Sequence, residues 1–377
     1  MDPKISEVIE ENHILHFTLD NINVSLANAV RRIILSEIPT LVFLTESHEE
    51  NTCNIEINTS RLHNEIIKQR LGCIPIHTEV NITPNSNNET NPLSGKYILE
   101  VDVKNDTDNI LFVTTEHFKI KNKENNNYLT EQETRKIFPK NQISQSYIDF
   151  VRLRPKISEL IPGEQIKLTC EFSVSNAKEN SMYNVVSKCS YSNTIDVIKK
   201  NEVWEKHLNE LNSIDGISKE EIDFQKKNFE LLDANRYFIP DSFDYVIQSV
   251  GVYENNDIVK KGCAVLQHKF IELIKQIDSD IVPINKSEST IDHCYDIVLE
   301  NEDYTMGKSI EYILHELFYL KEKKLSYCGF KKFHPHDNES IIRIAFVDNH
   351  DKTEARQCLR TACVMAQEVF KKIYGMF

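Results

Sequence analysis

Apolar positions along this chain recur in two rhythms, alternating over short runs and returning every third or fourth residue over longer ones. The first rhythm argues strands with one buried face, the second amphipathic helices. The two occur in the same succession twice, 280 residues apart: the run from Phe17 to Leu35 aligns without a gap with the run from Ile297 to His315. Each run reads as strand, turn and capped helix. Ser25 and Thr305 stand where an N-cap hydroxyl would satisfy the first free backbone N–H groups. Leu26, Val30, Ile33 and Ile34 then fall on one face of the first helix, and Met306, Ile310, Ile313, Leu314 and Leu317 on the matching face of the second. These side chains are the predicted contact by which the two copies pair.

Each copy closes with an extended run and a long amphipathic helix. In the first these are Phe243 to Val250 and Val259 to Ile277; in the second, Ser340 to Val347 and Thr353 to Tyr374, with Ala355, Leu359, Ala362, Ala366, Val369 and Ile373 marking the buried stripe. The second copy takes about 85 residues, whereas about 200 separate the opening helix from the closing strand of the first. A further domain is inserted there. The fold class is therefore α+β, with two related dimerisation domains paired within one chain and the first interrupted by a mainly β insertion. Residues 1–48 and 240–278 form the first domain, 49–239 the insertion, 279–289 a short polar linker and 290–377 the second domain. Tethering makes the pairing intramolecular and fixes a one-to-one ratio, so no homodimer is expected. Within the insertion, Asn81–Asn91 and Lys121–Asn127 read as polar surface loops. Trp204, Leu208 and Leu211 share a helical face in a stretch, 196–236, that reads as an extra helical hairpin.

Composition narrows function by exclusion. Nine glycines occur, and the closest pair, Gly251 and Gly262, lie eleven positions apart. A dinucleotide fingerprint, a P-loop and a nucleophile elbow each need two or more glycines within a few residues, so none can be written here. Thirteen histidines form no His-Glu-x-x-His run and nine cysteines no Cys-x-x-Cys knuckle. Neither a metal site nor a disulfide framework is expected, and His334 and His336, lacking a third neighbour, read as loop residues. The 44 Lys and Arg against 58 Asp and Glu leave a net charge of −14, which repels phosphate backbones. Direct DNA contact is not expected. The longest apolar runs, such as Leu41 to Leu44, fall far short of the roughly 20 residues a bilayer span needs, and the acidic start is unlike a signal peptide. Neither membrane insertion nor secretion is expected. An enzyme reading rests only on Glu65 with His63 or His77 as acid–base groups.

The segment from Val24 to Pro39 resembles the signature of alpha-type RNA polymerase assembly subunits, nearest to the third-subunit type. Asn58 to Ile76, which contains Arg70, Leu71, Gly72, Ile74 and Pro75, resembles that family's second signature. The last 90 residues resemble the eleventh subunit of eukaryotic RNA polymerase II and its archaeal counterpart. Glu302 to Gly307 matches the Glu-Asp-His-Thr-Leu-Gly pattern with Tyr304 in place of histidine, and Cys328 to His336 matches the Gly-Tyr-x-x-Pro-His-Pro stretch with Phe333 in place of proline.

The resemblance implies a noncatalytic assembly scaffold of a DNA-directed RNA polymerase, a nucleotidyltransferase whose chemistry other subunits perform. Its implied partners are the second-largest and largest subunits; whether small zinc-containing polymerase subunits dock beside them is left open. The catalytic magnesium would sit on the largest subunit, leaving this chain with no cofactor and no catalytic residue. Asn28, Arg31, Arg32 and Leu35, opposite the buried stripe, become a docking face for the second-largest subunit, and Arg61 and Arg70 extend it. Helix pattern alone would make that face merely solvated. Glu302, Asp303 and Gly307 read as a helix-start turn rather than a binding site. A cysteine cluster that can occur in the inserted domain of third subunits is not matched, since Cys53, Cys73, Cys170 and Cys189 are scattered. Fusion of the two subunit types resembles nucleocytoplasmic large DNA viruses. That implies viral transcription in a factory in the host cytoplasm and packaging in the virion, with the nucleus left open. The competing class is a standalone homodimeric interaction protein with the same fold.

Overall fold

The computed structural model describes residues 2–46, 49–83, 86–158, 160–213 and 218–377, with backbone alone at 83 and 86–90. The chain divides into two compact units, one of residues 1–32, 188–248 and 269–377, the other of 33–187 and 249–268.

The first unit contains the sheets of both copies. In chain order the first copy comprises β1 (Lys4–Glu11), β2 (Ile14–Asp20), α1 (Val24–Ser36), β3 (Val186–Ile195), the helices α2 (Val197–Asn212) and α3 (Lys219–Leu231), β4 (Phe238–Ser249) and α4 (Asn255–Asp278). The second comprises β5 (Ile284–Lys286), β6 (Cys294–Glu300), α5 (Tyr304–Leu314), β7 (Leu325–Lys331), β8 (Glu339–Phe346) and α6 (Lys352–Tyr374). The strand orders correspond, β1-β2-β4-β3 and β5-β6-β8-β7. Even the backbone turns recur at the same offset: His13 and His293 open the second strand of each sheet at φ 62° and 53°, and Asn21 and Asn301 close it at φ 57° and 56°. Asparagine suits that left-handed region because its short polar side chain bonds locally.

Alternation puts Leu15, Phe17 and Leu19 of β2 opposite Ile247, Tyr245 and Phe243 of β4, all six buried. The Phe17 and Tyr245 rings stack at 4.9 Å. In the second sheet Ile297 faces Ile342. Phe270 of α4 stacks on Phe370 of α6 at 5.9 Å, both fully buried, so the closing helices of the two copies meet face to face. The predicted stripes are buried on α1 and α5, from Leu26, Val30, Ile33 and Ile34 to Met306, Ile310, Ile313 and Leu314.

Leu317 departs from that pattern, being half-buried while Phe318 is buried. Past Leu314 the helix widens into a π turn over His315–Lys321, in which the Glu322 N–H reaches the Leu317 carbonyl at 2.8 Å. The 3.6-residue period fails there and Phe318 takes the inward place. The caps also differ from expectation. Asn23 caps α1, its Oδ1 accepting from the Ser25 N–H at 2.9 Å, and Asp303 caps α5, accepting from the Thr305 N–H at 2.9 Å. Both caps stand two residues ahead of the predicted hydroxyls and again 280 residues apart.

Two boundaries shift. β3 lies inside the range assigned to the insertion yet is the fourth strand of the first sheet. The linker carries β5, which pairs with β6, and buries Val282 and Ile284. Arg360 of α6 holds Asp278 at 2.7 Å, and Arg356 bonds Asp280. Between β3 and β4, α2 and α3 pack through Trp204 and Phe229, whose rings lie 5.4 Å apart; the connection at 214–217 falls outside the described residues.

The second unit is mainly β. A four-stranded sheet runs in the order Cys53–Asn58, Gln165–Glu171, Tyr97–Lys104 and Lys119–Asn122, flanked by strand pairs Leu111–Thr114 with Asp149–Leu153 and Thr40–Val42 with Ser173–Ser175. Leu99, Val101, Ile120, Ile166 and Leu168 fill its core with Phe43, Phe118, Phe138 and Phe150. The stretch from Asn81, expected as a polar loop, instead forms the strand pair Asn81–Thr83 with Ser86–Thr90, and residues 84–85 fall outside the described residues.

Candidate docking surfaces

On α1 the residues opposite the buried stripe form one continuous line. Val24 is 48% exposed, and Asn28, Arg31 and Leu35 follow it half-buried at helical spacing. The Arg31 Nε donates to Asn28 Oδ1 at 2.9 Å, which fixes the guanidinium along the helix. Its charge reaches Tyr191 and Cys189 on β3: burial pushes the Cys189 thiol up to about 12, with the Arg31 charge opposing. Val24 was missed at the sequence level because it was read as the approach to the cap rather than the first helical residue.

Arg32 does something different. Its Nη2 lies 2.5 Å from Asp303 Oδ2, and its Nε donates to the Thr305 hydroxyl at 2.8 Å. The guanidinium of the first copy thus grips the cap of the second copy's helix. Burial alone would raise the Asp303 carboxyl, but the Thr305 N–H and hydroxyl and the Arg32 charge outweigh it and hold the group below the ordinary carboxylate value. Glu302 pairs with Lys269 at 3.1 Å, so the helix-start turn of the second copy joins the copies at two points. Gly307 lies under Phe330, where a Cβ would come within 2.0 Å of the ring.

The second signature sits in the other unit. It runs into the helix Asn64–Gly72, with Arg61 and Arg70 exposed. Arg70 donates to the carbonyls of Phe150 and Asp149 at 2.7 and 2.6 Å. Gly72 is required by space rather than by φ, since a Cβ would stand 2.7 Å from Met182 Sδ and 2.8 Å from Thr45 Oγ1. Of the acid–base candidates, His63 and Glu65 are brought together at 3.2 Å but are 64% and 90% exposed, a setting that leaves both to water. His77 is half-buried, and burial lowers its imidazole against the pull of the Ile137 carbonyl. Cys53 and Cys170 are brought opposite each other on adjacent strands, a pairing the spacing does not reveal. Among the described residues no group of three or more His, Cys, Asp or Glu could hold a metal ion, and no helix is long and apolar enough to cross a membrane.

Two copies of one sheet-and-helix unit, locked by an ion pair and by stacked closing helices, define a dimerisation module folded from a single chain. Residues 16–270 and 294–374 each match a family model described as the RNA polymerase Rpb3/Rpb11 dimerisation domain, and the chain belongs to that family. It is 24% identical over 298 residues to a conjugation stage-specific protein of Tetrahymena thermophila, covering 70% of this chain and 91% of that one. It is also 24% identical over 277 residues to DNA-directed RNA polymerase II subunit RPB3 of Schizosaccharomyces pombe, covering 70% and 84%. Subunit 3 of DNA-directed RNA polymerases II, IV and V of Arabidopsis thaliana is 38% identical over 77 residues, which is 20% of this chain and 22% of that one.

Proposed function

We propose that this chain is a noncatalytic assembly subunit of a multisubunit DNA-directed RNA polymerase, the platform on which the second-largest and largest subunits come together. Family membership supports the polymerase setting. The carrying observation is the line Val24, Asn28, Arg31 and Leu35 on a helix whose other face is wholly buried: an apolar residue at each end of an amide and a guanidinium is a surface suited to docking rather than to catalysis. The chain needs no cofactor for that role, and magnesium would belong to the largest subunit. We place its work in viral transcription, in the host cytoplasm and the virion. The fusion of two subunit types and the richness in Asn, Lys and Ile support that setting.

Tagged chain captured from its native source tests the reading. Wild type should bring down both large subunits. Arg31→Glu with Leu35→Glu should lose them while keeping the wild-type unfolding midpoint; Arg32 is left alone because it holds the copies together. Wild type that captures no polymerase subunit ends the reading.

A further inference from the structure

A groove of about 590 Å³ in the mainly β unit gathers four arginines, Arg61, Arg70, Arg152 and Arg154, in a chain whose net charge is −14. Two carboxylates answer them. Arg154 is paired with Glu164 at 2.5 Å, and Asp149 Oδ2 lies 3.5 Å from Arg152 Nη2. Arg61 has no carboxylate partner among the described residues, and Arg70 donates to the backbone carbonyls of Phe150 and Asp149, which orient the guanidinium without neutralising it. The groove therefore carries an uncompensated positive charge on an acidic protein. Its geometry is fixed. Arg152 lies 4.8 Å over the Phe112 ring, and Arg70 is held at Nε and Nη2.

The walls are apolar where they are not arginine. Leu62 and Ile110 line the groove, and Ile110 is 56% exposed. Guanidinium forks match planar carboxylates two bonds at a time.

From these features we infer that the groove docks an extended, acidic polypeptide segment of a partner protein. Its carboxylates would meet Arg61, Arg70 and Arg152, and an apolar side chain would lie against Ile110 and Leu62. A polyphosphate strand fits less well, because it would bring many charges toward a chain that repels them at long range. The inference deepens the assembly reading and rests on it for the partner being a polymerase subunit.

Fluorescence anisotropy on the full chain tests the groove with three labelled probes: a short peptide of alternating glutamate and leucine, its lysine and leucine counterpart, and a single-stranded oligonucleotide. The glutamate peptide should bind, and Arg61→Glu with Arg152→Glu should weaken it about tenfold or more, the loss of one or two charge-assisted bonds. Ile110→Glu, which leaves all four arginines in place, should weaken it as well. Equal binding of the lysine peptide, indifference to both variants, or displacement of the peptide by the oligonucleotide overturns the proposal. Wild type that captures both large subunits yet ignores the glutamate peptide removes the groove proposal and leaves assembly standing. Peptide binding by a chain that captures no polymerase subunit does the reverse.

Discussion

The two copies share strand order, turn residues and cap positions, but equivalent places hold different chemistry. Ala27 of the first copy corresponds to Gly307 of the second, and only the second has a ring, Phe330, in the space a Cβ would need. Arg32 corresponds to Tyr312, whose hydroxyl burial pushes up to about 12, with Glu316 and Asp241 adding to it. Asn23 corresponds to Asp303. Between the inward residues of the first sheet lies a hydroxyl and carboxylate network, in which Thr18 and Thr194 donate to Asp244 at 2.8 and 2.7 Å and Ser242 to Asp20 at 2.5 Å. The second sheet carries instead a two-bond pair, Arg343 to Asp296 at 2.6 and 2.8 Å. Each copy is thus fitted to the other rather than to itself. A first copy meeting its own kind would offer Arg32 a neutral Asn23 in place of Asp303, and the charge would be left without its partner.

The largest way to break that comparison is through the closing helices. Phe270→Ala empties a fully buried site shared by both copies and should cost about 3–5 kcal/mol in urea unfolding. Next comes the unequal pair of small residues. Gly307→Ala should destabilise by roughly 1–2 kcal/mol, because overpacking against Phe330 outweighs the better helix propensity of alanine. Ala27→Gly should lose about 1–2 kcal/mol, the propensity difference together with a buried methyl; no loss from Gly307→Ala would mean the Phe330 ring swings aside freely.

The caps sharpen the asymmetry. Asp303→Ala removes both a cap and the Arg32 partner and should cost roughly 2 kcal/mol, whereas Asn23→Ala removes a cap worth about 1 kcal/mol. The side chain of Asp303 is 39% exposed, so solvent screening keeps the ion-pair share small. The smallest effect is acid lability. Asp303 and Asp296 are both held below the ordinary carboxylate value, Asp296 chiefly by its bonds from Arg343. A depressed carboxyl contributes stability that is complete above its unfolded value near pH ~4 and is lost as pH falls through its folded value. Urea midpoints should therefore drop below pH ~4, and Asp303→Asn should make that drop shallower.

Much of this was legible in the sequence because period and offset are local properties. The gapless register of the Phe17 and Ile297 runs, the buried stripes and the closing helices need only spacing to be seen. What escaped depends on through-space geometry. Arg32 and Asp303 are 271 positions apart, and helical position alone put Arg32 on the outer face with Arg31. The caps were set two residues late because a hydroxyl residue was sought where an amide and a carboxylate, just upstream, already served. Leu317 was misplaced by a change of helical period that apolar residues on both sides conceal. β3 was hidden in the insertion because Val186–Ile195 is half polar, as suits an edge strand with one exposed face.

If the two copies pair with each other, one chain is already the complete pair. Native mass spectrometry of the purified full chain, across a range of concentrations, tests it most directly. Internal pairing should give the mass of a single chain, 43.9 kDa, at every concentration. A stable species of twice that mass at low micromolar concentration would mean that the copies pair between chains, and would contradict it.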